Sequence, residues 1–221
     1  PNWVHILARE ENICFQKEAL LNVVETVVPE KYTKIAWLDH DILFTNLNWY
    51  NETSEALDTY KIVQVYENCH WTDSRGVVER TAKAMLTIPN LTEELAKMPF
   101  WAYAPPHHGG FGFAAPRSLW KEGPKLYPYN ILGGGDTTLI YAICNPDPSL
   151  LSLSVAYLFE RPIEEQFEPF LTWKKDFHNF VNKNYSFIKG TLYHEFHGAK
   201  GNRKYGARDK LINLYKYNLR N

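Results

Sequence analysis

Residues 34–44 read KIAWLDHDILF: a short apolar run leads directly into two aspartates, and a second apolar run follows. The first five residues predict a buried β-strand, since a compact apolar run of this length is typical of a strand inside a sheet. The strand would carry Asp39 and Asp41 at its carboxyl end, which is where open α/β sheets bind their ligands. This segment therefore predicts both an α/β fold and the position of a functional site.

Asp39 and Asp41 are separated by one residue and have apolar segments on both sides. In an extended strand, residues i and i+2 share a face, so the two carboxylates can point in the same direction. Two negative charges at such a short distance repel each other unless a cation lies between them, and carboxylate oxygens suit Mg²⁺ or Mn²⁺. The alternative is a turn with two solvated aspartates. Charges between buried segments are costly without a partner, which favours the metal site.

Strands and helices are predicted to alternate along the rest of the chain. An amphipathic helix is predicted at 15–28, further strands at 62–66 and 111–115, and further helices at 91–97, 137–143 and 208–219. This alternation indicates an α/β fold with a mixed, mainly parallel sheet flanked by helices. With 221 residues, no linker and no internal repeat, the chain is expected to form a single domain over 1–221.

Charge and composition exclude several classes of protein. The 24 basic and 25 acidic residues give a net charge of −1, which argues against a nucleic-acid binder. No apolar stretch approaches the roughly 18 residues of a membrane span and no signal peptide is visible, so we expect no membrane span and a cytoplasmic location. Three widely spaced cysteines agree with a reducing compartment. The chain begins at Pro1 without Met, which leaves room for an upstream segment or a longer parent protein.

A run of three glycines, 133–135, precedes Asp136 and a predicted helix. Glycines permit positive φ angles and let a ligand approach the backbone closely, so Gly134 and Gly135 are candidate ligand-binding residues. Asp136 is either the N-cap of the helix or a carboxylate that acts as a general base on a substrate hydroxyl. The sequence leaves both interpretations open.

Two histidines, His194 and His197, lie three residues apart and precede Gly198. Imidazole is a common ligand of Mn²⁺ and Zn²⁺. In a helical turn both rings would face one side, whereas in a strand only one of them would face the site. An earlier pair, His107 and His108, is interpreted as loop histidines rather than as metal ligands.

The segment 198–221 has seven basic residues and one acidic residue. Lys200 and Arg203 lie in its glycine-rich first part, and such a basic loop can bind a diphosphate. Most of the other cations are expected to lie on a solvated helix face.

The motifs occur in the order strand–Asp-x-Asp, Gly-Phe-Gly-Phe-Ala, Gly-Gly-Gly-Asp and His-Gly-x-Lys, and this order resembles the metal-dependent glycosyltransferases of the GT-A fold. The segments that carry it are KIAWLDHDILFTNLNWY, GGFGFAAPRSLWKEGPKLYPYNILGGGDTTLIYAI and HEFHGAKGNRKYGAR. The resemblance extends over roughly residues 11–215. The resemblance is closest to the small enzymes of this type from chlorella viruses and bacteria. One departure is clear: only 38 residues precede Asp39, fewer than the family's full nucleotide-binding strand and helix need.

The resemblance implies how the donor and the metal are bound. Asp39 would contact the donor ribose or the metal, and Asp41 would bind the Mn²⁺ (or Mg²⁺) that bridges the two phosphates of a nucleotide sugar. His197 would be the late metal ligand, with His194 as the second choice. Gly134, Gly135 and Gly198 would line the donor site, and Lys200 and Arg203 would lie next to the diphosphate.

The resemblance also implies the reaction: a glycosyltransferase, either a hexosyl- or a pentosyltransferase, that moves a sugar from a UDP-linked donor to a hydroxyl of a glycan or glycoprotein. Asp136 would be the base of an inverting reaction, or would position a substrate in a retaining one. Two alternatives use the same residues differently. A metal-dependent phosphohydrolase would usually need more carboxylates, and a non-catalytic carbohydrate-binding module has no use for a metal and a basic loop.

Aromatic residues make up 15% of the chain. Trp37, Trp101, Phe111, Phe113 and Trp120 are candidates for stacking on sugar rings. Core packing is expected to be the role of most of them.

Overall fold

The computed structural model describes residues 5–7, 16–97, 107–131, 133–144 and 164–198. Its helices are α1 (Lys17–Val27), α2 (Trp49–Ala56), α3 (Leu91–Lys97), α4 (Ser118–Lys121), α5 (Gly135–Cys144) and α6 (Glu164–Val181), with a 3₁₀ turn at Met85–Thr87. Its strands are β1 (Lys34–Leu38), β2 (Ile42–Phe44), β3 (Ile62–Gln64), β4 (Asn68–Thr72), β5 (Val78–Ala84), β6 (His107–His108), β7 (Gly112–Pro116), β8 (Tyr185–Phe187) and β9 (Thr191–His194). The fold is mixed α/β, as the alternation of elements predicts.

The strands form two mixed sheets, with the orders β1-β7-β3-β8 and β2-β9-β4-β5-β6. Among the described strands four pairs are antiparallel and three are parallel, so the prediction of a mainly parallel sheet is wrong. One reason is that β7 runs back between β1 and β3 and is antiparallel to both. Another is that a tight turn at 73–77 joins β4 to β5, and a connection that short permits only an antiparallel hairpin.

Several elements match the sequence predictions closely. The strand at 34–38 and the helix at 91–97 have the predicted bounds, and the helices predicted at 15–28 and 137–143 are α1 and α5. The prediction that the strand at 34–38 is buried is wrong: only Trp37 is buried, because β1 lies at the end of its sheet and has one neighbour among the described strands. By contrast, α6 was not predicted, because its acidic and aromatic sequence shows no clear helical period and contains Pro169. The helix predicted at 208–219 lies outside the described residues.

The core lies on both faces of the first sheet, and most of the aromatic candidates for ring stacking belong to it. Trp37, Phe111, Phe113 and Trp120 are all buried, and the ring centroids of Trp37 and Phe113 are 5.9 Å apart. Core packing is thus confirmed for these four residues. Trp101 lies outside the described residues.

Arg117, directly after β7, holds α1 in place. Its guanidinium pairs with the Glu25 carboxylate at 2.6 Å and donates to the backbone carbonyls of Glu25, Val28 and Pro29. Carbonyls at a helix carboxyl end have no partner within the helix, so Arg117 satisfies them as well as the buried charge of Glu25. The anchored helix places its first residue, Lys17, at the carboxyl end of β1.

The cysteines and the helices bear on two further expectations, a reducing compartment and no membrane span. Cys69 and Cys144 are buried and free, while Cys14 lies outside the described residues. Among the helices of the described ranges, none has the length and apolar character needed to cross a membrane.

Candidate active site

The two aspartates that follow β1 have different partners. The backbone N–H of Asp39 donates to the carbonyl of Phe111 at 2.8 Å, and its carboxylate pairs with Lys17. Asp41 lies two residues farther on, beside β2, and its carboxylate contacts two histidines. The alternation that would place both carboxylates on one face ends with β1 at Leu38. The Asp-x-Asp motif therefore serves two neighbouring groups of side chains.

The first group is formed by Asp41, His194 and His197, and we call it the triad. The Nε2 atoms of His197 and His194 lie 3.0 Å and 3.5 Å from Asp41 Oδ2, and they are 3.2 Å from each other. The antiparallel pairing of β2 with β9 brings them together: Ile42 lies opposite His194, and the Glu195 N–H donates to the Asp41 carbonyl at 2.9 Å. The sequence predicted Asp41 and His197 as ligands and His194 as the second choice, and all three lie together.

The triad fits a divalent cation. Its three ligand atoms lie within 4.8 Å of one another. Asp41 Oδ1 is buried and accepts no hydrogen bond from the part of the chain that the structure describes, an arrangement that is costly unless an ion satisfies that oxygen. Two imidazoles and one carboxylate suit Mn²⁺ better than Mg²⁺, which prefers oxygen ligands. The His197 side chain is 43% exposed against 9% for His194, so the triad is open on the His197 side.

The second group is formed by Asp39, Asp136 and Lys17. Lys17 Nζ lies 2.7 Å from Asp39 Oδ1 and 3.3 Å from Asp136 Oδ1. Burial opposes the charge on Lys17, but the two carboxylates outweigh it and raise the pKa of the ammonium group. Asp39 was predicted as a metal ligand or a ribose contact. It is not part of the described triad, and its Oδ1 is paired with Lys17.

Asp136 lies in the first turn of α5, behind the glycine run, as the sequence predicts. Gly133 and Gly134 have φ angles of +86° and +81°, so the expected positive φ is confirmed at both. Burial raises the pKa of the Asp136 carboxyl, and the ammonium group of Lys17 opposes that rise. A raised pKa makes the carboxylate a better proton acceptor, which suits a general base.

Glu18, the neighbour of Lys17 on α1, covers Gly135. A Cβ added at Gly135 would lie 1.9 Å from Glu18 Oε1, so a larger residue there would force this carboxyl group to move. The close approach that the glycine run predicts is therefore made, at Gly135, by a side chain of the protein itself. Burial and the nearby Asp136 raise the pKa of Glu18 to about 7.

A narrow recess begins at Glu18 and Asp136. Its cavity volume is about 10 Å³, which is roughly the space that one water molecule needs. The rest of the lining is mostly apolar and aromatic and consists of Trp37, Leu126, Tyr127, Asn130, Gly135, Leu139 and Trp173. The recess is therefore too small for a sugar or a nucleotide.

We expect the Glu18 carboxyl to make the stability of the protein depend on pH. A carboxyl whose pKa is 4.5 when unfolded and about 7 when folded holds its proton more tightly in the folded state, so its ionisation favours unfolding. Its contribution to the free energy of unfolding should fall by about 2–3 kcal/mol as the pH rises from 4.5 to 7, and level off above that. Glu18→Gln should remove this slope in denaturant titrations between pH 5 and 8.

The matched control for this experiment is Glu79→Gln, since Glu79 is exposed on β5. It should leave the slope unchanged. The same slope in Glu18→Gln as in the wild type would show that the Glu18 carboxyl is not the group responsible.

Three other predicted ligand residues lie in the carboxyl-terminal region. Gly198 follows the triad and has a φ of +114°, with open space where a Cβ would lie. Lys200 and Arg203 are outside the described residues, so their role at a diphosphate stays a prediction.

Lys17 and Glu18 were missed by sequence reasoning. Both lie at the start of an amphipathic helix whose pattern does not distinguish them from solvated charges. The only local signal is a Lys-Glu pair where the helix begins, which is common on protein surfaces. Their contacts arise from the position of α1 in the fold.

The comparisons with known proteins give no relatives to draw on. No family model matches the chain. Searches of curated proteins and of solved structures also find no significant match.

Proposed function

We propose that this chain is a metal-dependent glycosyltransferase with a GT-A-like arrangement, formed by a single domain. It would move a sugar from a nucleoside diphosphate sugar, with UDP as the first carrier to test, to a hydroxyl of a glycan or glycoprotein. One observation carries the proposal: strand β1 leads into Asp-x-Asp, and one of these carboxylates contacts two late histidines while the other shares a lysine with Asp136. This grouping supports a donor site beside a base.

The chemistry follows from these groups. A cation held by Asp41, His194 and His197 would neutralise the diphosphate as it leaves. In an inverting reaction the acceptor oxygen bonds to the anomeric carbon, and the bond from that carbon to the diphosphate oxygen breaks with its electron pair on the diphosphate. The acceptor proton passes to Asp136. In a retaining reaction Asp136 positions a substrate instead. We propose that Lys200 and Arg203 add positive charge at the diphosphate.

The site supports the alternatives less well. A two-metal phosphohydrolase holds its ions with several carboxylates. Within the described residues the triad contains one carboxylate, and the next, Asp39, is paired with Lys17. Asp41 Oδ1 is buried and accepts no hydrogen bond from the described residues, so it needs an ion to satisfy it. A carbohydrate-binding module has no use for such an ion.

Calorimetric titration of UDP tests the proposal directly. With Mn²⁺ present we expect binding, because a cation held by the triad would attract the diphosphate, and with EDTA we expect the binding to be lost. Titrations with GDP and dTDP establish whether a different base is preferred. Absence of binding by all three nucleotides in Mn²⁺ would contradict the proposal, and binding that EDTA leaves unchanged would contradict the role of the metal.

A further inference from the structure

Lys17 bridges the two carboxylates of the second group. Its Nζ atom lies 2.7 Å from Asp39 Oδ1 and 3.3 Å from Asp136 Oδ1, so one ammonium group pairs with both acids. Two carboxylates that close to each other repel, and a cation between them favours the ionised form of each. The side chains of Lys17, Asp39 and Asp136 are 21%, 31% and 27% exposed, so a substrate can reach this group from solvent.

The Asp136 carboxylate depends on Lys17 for its orientation. Among the described residues, Lys17 is the only group that donates a hydrogen bond to this carboxylate, and it donates to Oδ1. Asp136 Oδ2 accepts no hydrogen bond from the same residues, so it is the oxygen that can accept one from a substrate. The ammonium group is therefore the polar contact that selects one rotation of the carboxylate.

Lys17 is itself held in place by its helix and by Asp39. The carboxyl end of α1 is anchored as described above, and the middle of the helix is anchored by Asn22. The Asn22 side chain accepts from the Trp120 indole N–H at 3.0 Å and from the Leu126 N–H at 3.1 Å, and it donates to the Leu126 carbonyl at 2.8 Å. A side chain whose helix and charge are both fixed can hold a second group in one position.

We propose that Lys17 is the positioning residue of the base Asp136, and that Asp39 holds Lys17 for this purpose. The inference rests on the proposed function and adds to it how the base is oriented. The ammonium group binds Oδ1 and leaves Oδ2 to take the proton of the acceptor hydroxyl as the acceptor oxygen bonds to the anomeric carbon. The same positive charge keeps the carboxylate ionised until that proton arrives.

The test compares Lys17→Met with Lys17→Arg. Methionine has a similar length without the charge, whereas a guanidinium can pair with both carboxylates. The readout is Mn²⁺-dependent UDP release from UDP-glucose, UDP-galactose and UDP-xylose, in water alone and with methyl hexosides as acceptors. We expect Lys17→Met to lower kcat about 100-fold, the loss that a misplaced reacting group produces, with the donor KM and calorimetric UDP binding unchanged. Lys17→Arg should recover most of kcat.

The pH dependence gives a readout that a structural role alone would not move. Among the described residues, Lys17 and Glu18 on α1 and Asp39 after β1 face Asp136, and His108 lies on its Oδ2 side. Lys17 lowers the pKa of Asp136, so its removal should raise that pKa. In Lys17→Met the acid limb of kcat/KM should therefore move to higher pH. The midpoint of the Asp136 carboxyl titration, followed by ¹³C NMR in the metal-free protein, should move in the same direction.

Lys34→Met is the matched control, since Lys34 lies at the other end of β1 and pairs with the exposed Asp58. It should keep the wild-type kcat and pH dependence. Wild-type kcat in Lys17→Met, or an Asp136 midpoint that does not move, would overturn the inference alone. If the wild type binds UDP but turns over none of the three donors, the Asp136 midpoint decides by the same criterion. A wild type that binds none of UDP, GDP and dTDP with Mn²⁺ would overturn the proposed function and the inference together.

Discussion

Asp41→Ala is expected to abolish Mn²⁺ binding at the triad and to lower sugar transfer at least 100-fold, a loss of about 2.7 kcal/mol in transition-state stabilisation. Asp41 is the carboxylate of the triad and the residue that both histidines contact. The substitution removes the contacts of Asp41 Oδ2 with the two histidines, but it also removes Oδ1, a buried oxygen that accepts no hydrogen bond from the described residues. The two effects oppose each other, so the metal-free protein should stay folded.

Metal-dependent stability gives a readout that is independent of transfer activity. In the wild type, Mn²⁺ at 100 times its Kd should raise the free energy of unfolding by about 2.7 kcal/mol, because the ion binds the folded chain. In Asp41→Ala, the same Mn²⁺ concentration should leave the free energy of unfolding unchanged. Asp58→Ala is the matched control, since Asp58 is exposed and pairs with Lys34. Equal stabilisation of Asp41→Ala and the wild type by Mn²⁺ would place the ion elsewhere.

Asp136→Asn is expected to slow sugar transfer by about 10²–10⁴-fold while leaving Mn²⁺-dependent UDP binding intact. Asparagine keeps the shape of the side chain but cannot accept the acceptor proton. The fold should persist because Lys17 retains Asp39 as a partner. Since burial raises the pKa of Asp136, the wild-type kcat/KM should fall with decreasing pH at a pH above the ordinary aspartate value of about 3.9.

The control for this substitution is Asp176→Asn on the exposed face of α6. It should transfer at the wild-type rate. An Asp136→Asn variant with full activity, combined with an inactive Asp39→Asn variant, would assign the base to the other carboxylate that shares Lys17.

The elements nearest the site were predictable because their signals are local. The apolar run of β1 and the glycine run before α5 predict a strand and a helix start within short windows, and both elements form there. The relative direction of neighbouring strands was not predictable in this way. Whether β7 runs parallel or antiparallel to β1 depends on the path of the 73 residues that separate Leu38 from Gly112, and no short window records that path.

The chemistry available to the site was readable from residue types and spacing. The sequence combines a carboxylate pair at a strand end, an acid behind glycines and paired histidines. This combination identified Asp39, Asp41, Asp136 and His197 as candidate site residues. How these residues combine was decided by the tertiary structure. The β2–β9 register unites Asp41 with His194, more than 150 positions away, and the buried Arg117 anchors the helix that brings Lys17 to Asp39. Such contacts depend on burial and strand register across the whole chain, so local sequence supplies the reactive groups and tertiary packing decides which of them meet.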